Sequence, residues 1–445
     1  MANIAVLIIM LGCAALLFLK GTVLRAFATI IVAICALIAA FSFFEFLANF
    51  IISRADKGSL VSIVNLAQPI CFTLVFIIVF AVLQTLAIYL TREEVDLGLW
   101  PERIGRAVCG LILGFIVSGV FVTVLAMVPS LPMKLPYERF EAASPKPGDP
   151  KKVLFNADGF VTNLFSTVSN GSLSNKRSFS VLHANYLDQI FMNRLPEDTS
   201  ILTSSTPAIT IPSDKAVWPA SEAIKTQINE LKTSGELKNS PGKPSDSYTP
   251  MIVRIGFKRS AVKNEEKVNA GKFTASQLRL ICKKSTEMQN PLSGTAVNVF
   301  PVGHLRSANQ IQVTKEIKLD NNIFNSQSTK DIDFVFCVPS GFTPVLVEFK
   351  LNSVAQIRQD AILKDSSDAP TPATFTQRTE SESSGGTPGG GAPGNRGGMP
   401  GRGGNFGNRG GRGAPGGNRG MRGQQQNGAT PEDIAEELTG NIQGI

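Results

Sequence analysis

The sequence predicts a membrane α-helical unit of four transmembrane helices, then a soluble, mainly β domain, then a disordered Gly/Arg-rich tail. Three observations predict it. Four long uncharged stretches fill the first third of the chain: Met1–Leu19, Ala26–Phe44, Gly58–Thr91 and Ala107–Met133. From Met251 the hydrophobic period changes to two. Between Glu382 and Glu432 the chain holds no acid and no Lys but is rich in Gly and carries six Arg.

Each uncharged stretch approaches or exceeds the roughly 20 apolar residues that cross a bilayer's hydrocarbon core. Without water to bond the backbone there, such segments are helical. Helix one is expected near Ile4–Leu19, with Lys20-Gly21-Thr22 as a tight turn. Helix two runs from about Arg25 to Leu47, and Glu45 near its far end reads as a boundary residue in preference to a buried functional carboxylate. Helix three spans about Pro69–Leu90. A charged loop, Arg92 to Arg106, follows, with Trp100 as an interfacial anchor. Helix four is Ala107–Val128, stopped by Pro129 and Pro132. The N-terminus has no basic n-region and no small-residue cleavage site before Lys20, so helix one reads as retained. Gly110, Gly114 and Ser118 recur at four-residue spacing, which puts three small residues on one face of helix four. That face suits close helix packing. Two uses remain open for it, packing within the four-helix unit or contact with a second copy.

Past Lys134 the chain is polar. Phe160, Leu164 and Val168 share a helical face, as do Leu182, Tyr186 and Ile190, and Ile224, Ile228 and Leu231. Strands follow at Met251–Lys258, Leu278–Cys282, Ile332–Val338 and Val345–Leu351, with short ones at Val297–Val299 and Ile311–Val313. Such strands between Gly/Asn/Ser turns suggest an antiparallel β-sandwich. The expected boundaries are 1–129 for the membrane unit, 130–152 for a linker, and 153–250 for short helices and a polar linker. The β-sandwich takes 251–352, the disordered tail 353–428 and a short amphipathic helix 429–445. That last helix rests on Thr430-Pro431-Glu432-Asp433 as its start and on Ile434, Leu438 and Ile442. The tail cannot bury enough apolar surface to offset its ordering entropy.

Six of the eight net positive charges are Arg396, Arg402, Arg409, Arg412, Arg419 and Arg422. The body is therefore no basic nucleic-acid binder, and only the tail could contact RNA or another polyanion. One Phe, Phe406, accompanies the six Arg, which limits base stacking. The bland alternative is a flexible basic spacer.

His183 and His304 are the only histidines. Each reads as a surface or capping residue. No nucleophile motif, phosphate loop or dinucleotide fingerprint surrounds them or Ser340. No Cys/His spacing suits zinc, and no cofactor is expected. Cys282 and Cys337 are a candidate disulfide if the domain lies outside the cytoplasm. Cys337, however, alternates against Phe334 and Phe336.

Lys20-Gly21-Thr22-Val23-Leu24-Arg25, then Glu102-Arg103, then Ala107-Val108-Cys109-Gly110-Leu111-Ile112-Leu113-Gly114, resemble the colicin V production (CvpA) family over Ile4–Val128. The chain departs from it in having no Asp in helix one and Arg106 at the usual first Gly. The resemblance implies a bacterial multipass inner-membrane protein associated with toxin production or export, with no catalytic motif. Some relatives carry a further domain after helix four. Asp333–Val338, Pro339-Ser340-Gly341 and Val345–Leu351 resemble the closing hairpin of extracytoplasmic immunoglobulin-like domains, which implies an immunoglobulin-like sandwich. Basic residues tie at five on each side of the membrane, so this second resemblance places the C-terminus outside the cytoplasm. The expected role is non-enzymatic, assisting toxin export or an envelope process through the β-domain. Expected partners are the lipid bilayer, a second copy through helix four, and envelope or export proteins. The alternatives are a membrane-tethered polyanion binder and a small channel or transporter. No ionisable pair deep in the spans supports a channel.

Overall fold

Stretches this apolar fold as helices in the computed structural model. It describes residues 2–376 except 20–21, 56–63, 92–97, 129–136, 142–144, 146–149, 171–177, 197–198, 204–206, 262–263, 266–267, 270, 314–315, 320 and 325. Helices α1 (Ala2–Leu19), α2 (Val23–Ala55), α3 (Ala67–Leu90) and α4 (Leu99–Met127) are each long and apolar enough to cross a membrane. Ile4, Ile8 and Leu11 on α1, and Ile77, Ile78 and Val82 on α3, stay exposed, as a lipid-facing surface would.

Two helices are longer than their sequence suggests. Helix α4 starts at Leu99 and includes Trp100, Glu102, Arg103 and Arg106. Pro101 is tolerated because first-turn N–H groups have no intrahelical partner. Helix α2 continues past Leu47 to Ala55, since Ala48 and Ile52 keep its buried stripe going. At 1.5 Å per residue α2 is about 50 Å long, well beyond a hydrocarbon core. Its last turns pack against the soluble part.

The glycine face of α4 is spent within the chain. A Cβ on Gly110 would lie 2.5 Å from Ala14 Cα, and one on Gly114 would lie 2.6 Å from Met10 Cα. Helix α1 therefore fills the groove that a second copy would need. Ser118, further along, is fully buried. Gly119 lies on another side of α4, and there the Ala157 carbonyl oxygen comes within 2.4 Å of an added Cβ.

The segment after α4, assigned above to a linker, is packed where it is described. Arg139 Nε lies 2.7 Å from Asp188 Oδ1, and both side chains are largely buried. Tyr137 donates its hydroxyl to the buried Asp158 carboxylate. Helices α5 (Ala157–Asn170), α6 (Phe179–Leu182) and α7 (Tyr186–Arg194) follow. Leu154 N donates to Asn3 Oδ1 at 2.8 Å, which brings the start of α1 to this end of the molecule.

Helix α8 is Glu222–Ser234. The strands are β1 (Ile209–Thr210), β2 (Val217–Pro219), β3 (Tyr248–Lys258), β4 (Asn264–Glu265), β5 (Val268–Asn269), β6 (Lys272–Phe273) and β7 (Leu278–Lys284). Then come β8 (Val297–Val299), β9 (Pro301–Ser307), β10 (Gln310–Gln312), β11 (Ile317–Lys318), β12 (Thr329–Pro339), β13 (Phe342–Phe349) and β14 (Ser353–Gln356). One antiparallel sheet has the order β1-β3-β12-β9-β10, with β2 also on β3. The other has the order β14-β13-β7-β8. They share a core in which the Phe257 and Phe349 rings lie 5.2 Å apart and Phe273 and Phe349 4.9 Å apart.

Both sheets are covered on their outer faces as well. Val335 and Cys337 pack under α8 with Ile224 and Ile228. Ile281 and Leu346 pack under α6 with Val181. Cys282 belongs to the inter-sheet core and Cys337 to the layer under α8, and both are free thiols.

Residues 353–376 complete the domain, although composition alone assigns them to the tail. Ser353 Oγ accepts from Ala208 N at 2.8 Å, and β14 pairs with β13. Further on, Arg254 and Asp333, opposite each other on β3 and β12, form a two-bond ion pair. Arg254 also donates to Thr371 O at 2.6 Å, and Asp333 accepts from Ala373 N at 2.7 Å. Phe375 is buried against His304. Apolar residues such as Ile357 and Ala361 anchor a strap whose overall composition is polar. The Arg residues of the tail and the helix expected at 429–445 lie outside the described residues.

Gly110→Leu with Gly114→Leu is expected to destabilise the helical unit by about 1–3 kcal/mol per site, as overpacking does. Ile8→Ala on the exposed face should change stability by less than about 0.5 kcal/mol. Thermal unfolding in detergent compares the two.

Candidate functional site at the junction of helix and sheet

Charged residues inside apolar strands mark the site. On β7, Leu278, Leu280 and Cys282 point into the inter-sheet core, so Arg279 and Ile281 point out. On β13, Val347 and Phe349 point in, so Leu346 and Glu348 point out. The register sets Arg279 directly opposite Glu348. Cross-strand neighbours of opposite charge on one face attract. Here Arg279 donates to Glu348 Oε2, and both side chains are buried. Arg279 also donates to Asn298 Oδ1 at 2.6 Å and to the Leu182 carbonyl. Asn298 in turn donates to the Ala184 carbonyl, which fixes the turn between α6 and α7.

That turn carries His183. Asn185, in the left-handed region at φ 53°, ends it and starts α7. Gln189, one turn into α7, donates from Nε2 to Glu348 Oε1 at 2.6 Å. Its Oε1 lies 2.9 Å from His183 Nδ1. On the other side of the ring, His183 Nε2 lies 2.9 Å from Glu45 Oε1 on α2. This last contact is at ion-pair distance without the alignment of a conventional N–H···O bond. A continuous polar chain therefore runs from a membrane-type helix to the sheet: Glu45, His183, Gln189, Glu348, Arg279.

The chain is sheathed in aromatic rings. Phe41 lies 4.8 Å from Phe72, 5.0 Å from Phe165 and 5.4 Å from Phe179. Tyr186 and Phe179 close over the His183 ring at 5.3 and 4.7 Å. These rings come from α2, α3, α5, α6 and α7, and one apolar cluster joins them to Phe300 and Leu351 of the β-domain. Gln68 at the start of α3 adds a bond to the Leu351 carbonyl at 3.3 Å.

Electrostatics follow from this burial. Burial alone would lower the His183 pKa, but Glu45 and then Glu348 outweigh it and hold the ring above the ordinary histidine value. Burial pushes the Glu348 carboxyl up, opposed by Arg279 and His183. His304 behaves oppositely: buried on β9 without an acid beside it, it is pushed down to about 4 and stays neutral.

Arg194 ends α7 and is the outlier. It is 4% exposed, and among the described residues none of its guanidinium nitrogens has a hydrogen-bond partner. Burial pushes its pKa down to about 9, partly offset by Tyr186. The Tyr186 hydroxyl also lacks a partner there.

Both histidines thus differ from the surface or capping role read from sequence. His183 is a buried bridge and His304 a core residue. Glu45 is not a bare boundary carboxylate, since it is 32% exposed and meets His183. Arg279, Gln189 and Glu348 were not singled out in the sequence. Their signal was present: charges at off-core strand positions flanked by apolar Ile281 and Leu346 imply a covered second face. Gly110 and Gly114 lie against α1, away from this cluster. Among the described residues, no group of three or more His, Cys, Asp or Glu could hold a metal ion. Comparison with family models, with curated proteins and with solved structures finds no match to this chain.

Glu348→Leu leaves Arg279 buried and uncompensated, and is expected to cost about 3–5 kcal/mol. Arg194→Met removes an unpaired buried charge and is expected to raise stability by about 1 kcal/mol or more. Chemical unfolding of the full chain in detergent measures both, and a stabilised Glu348→Leu or a strongly destabilised Arg194→Met would contradict the assignments.

Proposed function

We propose that the chain is a non-enzymatic multipass membrane protein of the colicin V production type, assisting toxin export or another envelope process. In this reading it sits in a bacterial inner membrane. Its β-domain, an immunoglobulin-like sandwich by the resemblance of its closing hairpin, lies outside the cytoplasm. One observation supports it above the others: the β-domain shares an apolar core with α2, α3 and α4. A domain held that way is a rigid platform at one membrane face. That arrangement suits a scaffold, which needs fixed placement, better than a module on a flexible tether. The polar chain from Glu45 to Arg279 adds orientation to the mount. The likeness of Ile4–Val128 to the colicin V production family supplies the process, and no described constellation offers a nucleophile beside a base.

Two outcomes are expected. The chain should stay with the membrane pellet after carbonate washing. Phe41→Ser with Phe44→Ser, which strips the shared core, should leave insertion intact while abolishing toxin release or envelope integrity in cells that depend on the protein. Recovery in the soluble fraction, or full function in the inserted double variant, would overturn the reading.

A further inference from the structure

The hydrogen-bond polarity of the junction counts its protons. Both Glu348 oxygens accept hydrogen bonds, Oε2 from Arg279 and Oε1 from Gln189. The charged Arg279 at Oε2 favours the Glu348 carboxylate, and the Gln189 amide then turns its NH2 toward it. The reverse orientation would set the Gln189 carbonyl against a carboxylate. The amide oxygen consequently faces His183 Nδ1, so Nδ1 must carry a hydrogen. A neutral ring protonated on Nδ1 has a bare lone pair on Nε2. That bare nitrogen would lie 2.9 Å from Glu45 Oε1, electron-rich atom beside carboxylate. Such a contact is repulsive unless the ring carries a second proton, which makes it an ion pair.

We propose that a second proton on His183, paired with Glu45, latches the β-domain onto the membrane-type helices, and that its loss as pH rises loosens the latch. The proton resides on Nε2, giving an imidazolium beside the Glu45 side chain. The undocked ring binds one proton fewer at neutral to alkaline pH. The inference rests on the contact between α2 and the β-domain and is independent of which envelope process the protein serves.

The charges around His183 favour the extra proton. Glu45 faces it from α2 and Glu348 from β13, both negative. Arg279 on β7 opposes them and is itself engaged by Glu348. From α7 come the neutral Gln189 and Tyr186, and Arg194, whose charge acts on Tyr186. From α6 comes the Phe179 ring. The balance raises the docked pKa of the ring. A group raised in the docked state contributes its full stabilisation below its free value, about 6.5 for His. That contribution is lost as pH rises through the docked value, so the docking equilibrium falls about tenfold per pH unit across this window. Glu348, also raised, acts in the same direction from lower pH.

The test uses the full chain in nanodiscs, labelled with 15N-histidine. The chain has two histidines, so two sets of ring signals are expected, and His304→Phe assigns them. His304 serves as a neutral reference. At pH 7 both His183 nitrogens should report bound protons, and Glu45→Gln should lower the His183 titration midpoint by about one pH unit or more. Thermal stability of the parent should fall from pH 6.5 to 9 more steeply than that of Glu45→Gln. A wild-type His183 at pH 7 with an unprotonated Nε2 of ordinary lone-pair shift would overturn the latch. So would an unchanged midpoint in Glu45→Gln. The wild-type spectrum decides even if the variant fails to fold.

Discussion

Glu348 has to be neutralised before this sheet can close against the helices, and much of the junction depends on how that is done. A carboxylate taken from water into a dry interior loses several kcal/mol of hydration even after relaxation. Arg279, across the strand pair, recovers part of it. The pair then sets what its neighbours can be. Gln189 must donate to Glu348, so its carbonyl must accept from His183, and the ring presents Nε2 to Glu45. One cross-strand register thereby dictates the hydrogen-bond polarity of a chain that ends on α2, a helix of the membrane-type unit.

The apolar part of the junction explains why that chain, apart from the half-buried Glu45, is shielded from water. Phe41, Phe44 and Phe72 from α2 and α3 meet Phe165, Phe179 and Tyr186 from the short helices. Edge-to-face rings add about 0.5–1.5 kcal/mol per pair beyond area burial. They also exclude the water that would otherwise screen the charges. A low effective dielectric strengthens the Glu348–Arg279 attraction and raises the cost of any unpaired group. Arg194 bears that cost in full. Among the described residues its guanidinium and the Tyr186 hydroxyl have no partner, and local energetics do not explain their retention.

The β-domain is tied together by a second charged pair with a different task. Arg254 and Asp333 sit opposite each other on β3 and β12, and their spare donors and acceptors hold the backbone at Thr371 and Ala373. The strap so fixed places Phe375 over His304. In both sheets, then, a charge pair on the outer face recruits the layer that covers it.

The sequence by itself determined the classes of element. Uncharged length makes helices α1 to α4, because backbone groups in an apolar medium must bond within their own segment. Period two makes β3, β7, β12 and β13, because successive side chains alternate faces. Four-residue glycine spacing marks a close helix contact, since it places bare backbone along one stripe. What only the tertiary structure decided was who meets whom. Local pattern says that Arg279 and Glu348 lie off the inter-sheet core, yet not that α6 and α7 cover them. Glu45 looked like an interface residue because nothing nearby in sequence could pair with it; its partner, His183, comes from a helix turn far along the chain. The same holds for Gly110 and Gly114, whose groove fits a second copy as well as α1 until the fold places α1 in it. Residues 353–376 looked like tail because composition averages over Ile357, Ala361 and Phe375, the few side chains that anchor them. Burial depends on what the fold brings to a surface, and that is a property of contacts distant in sequence rather than of any local window.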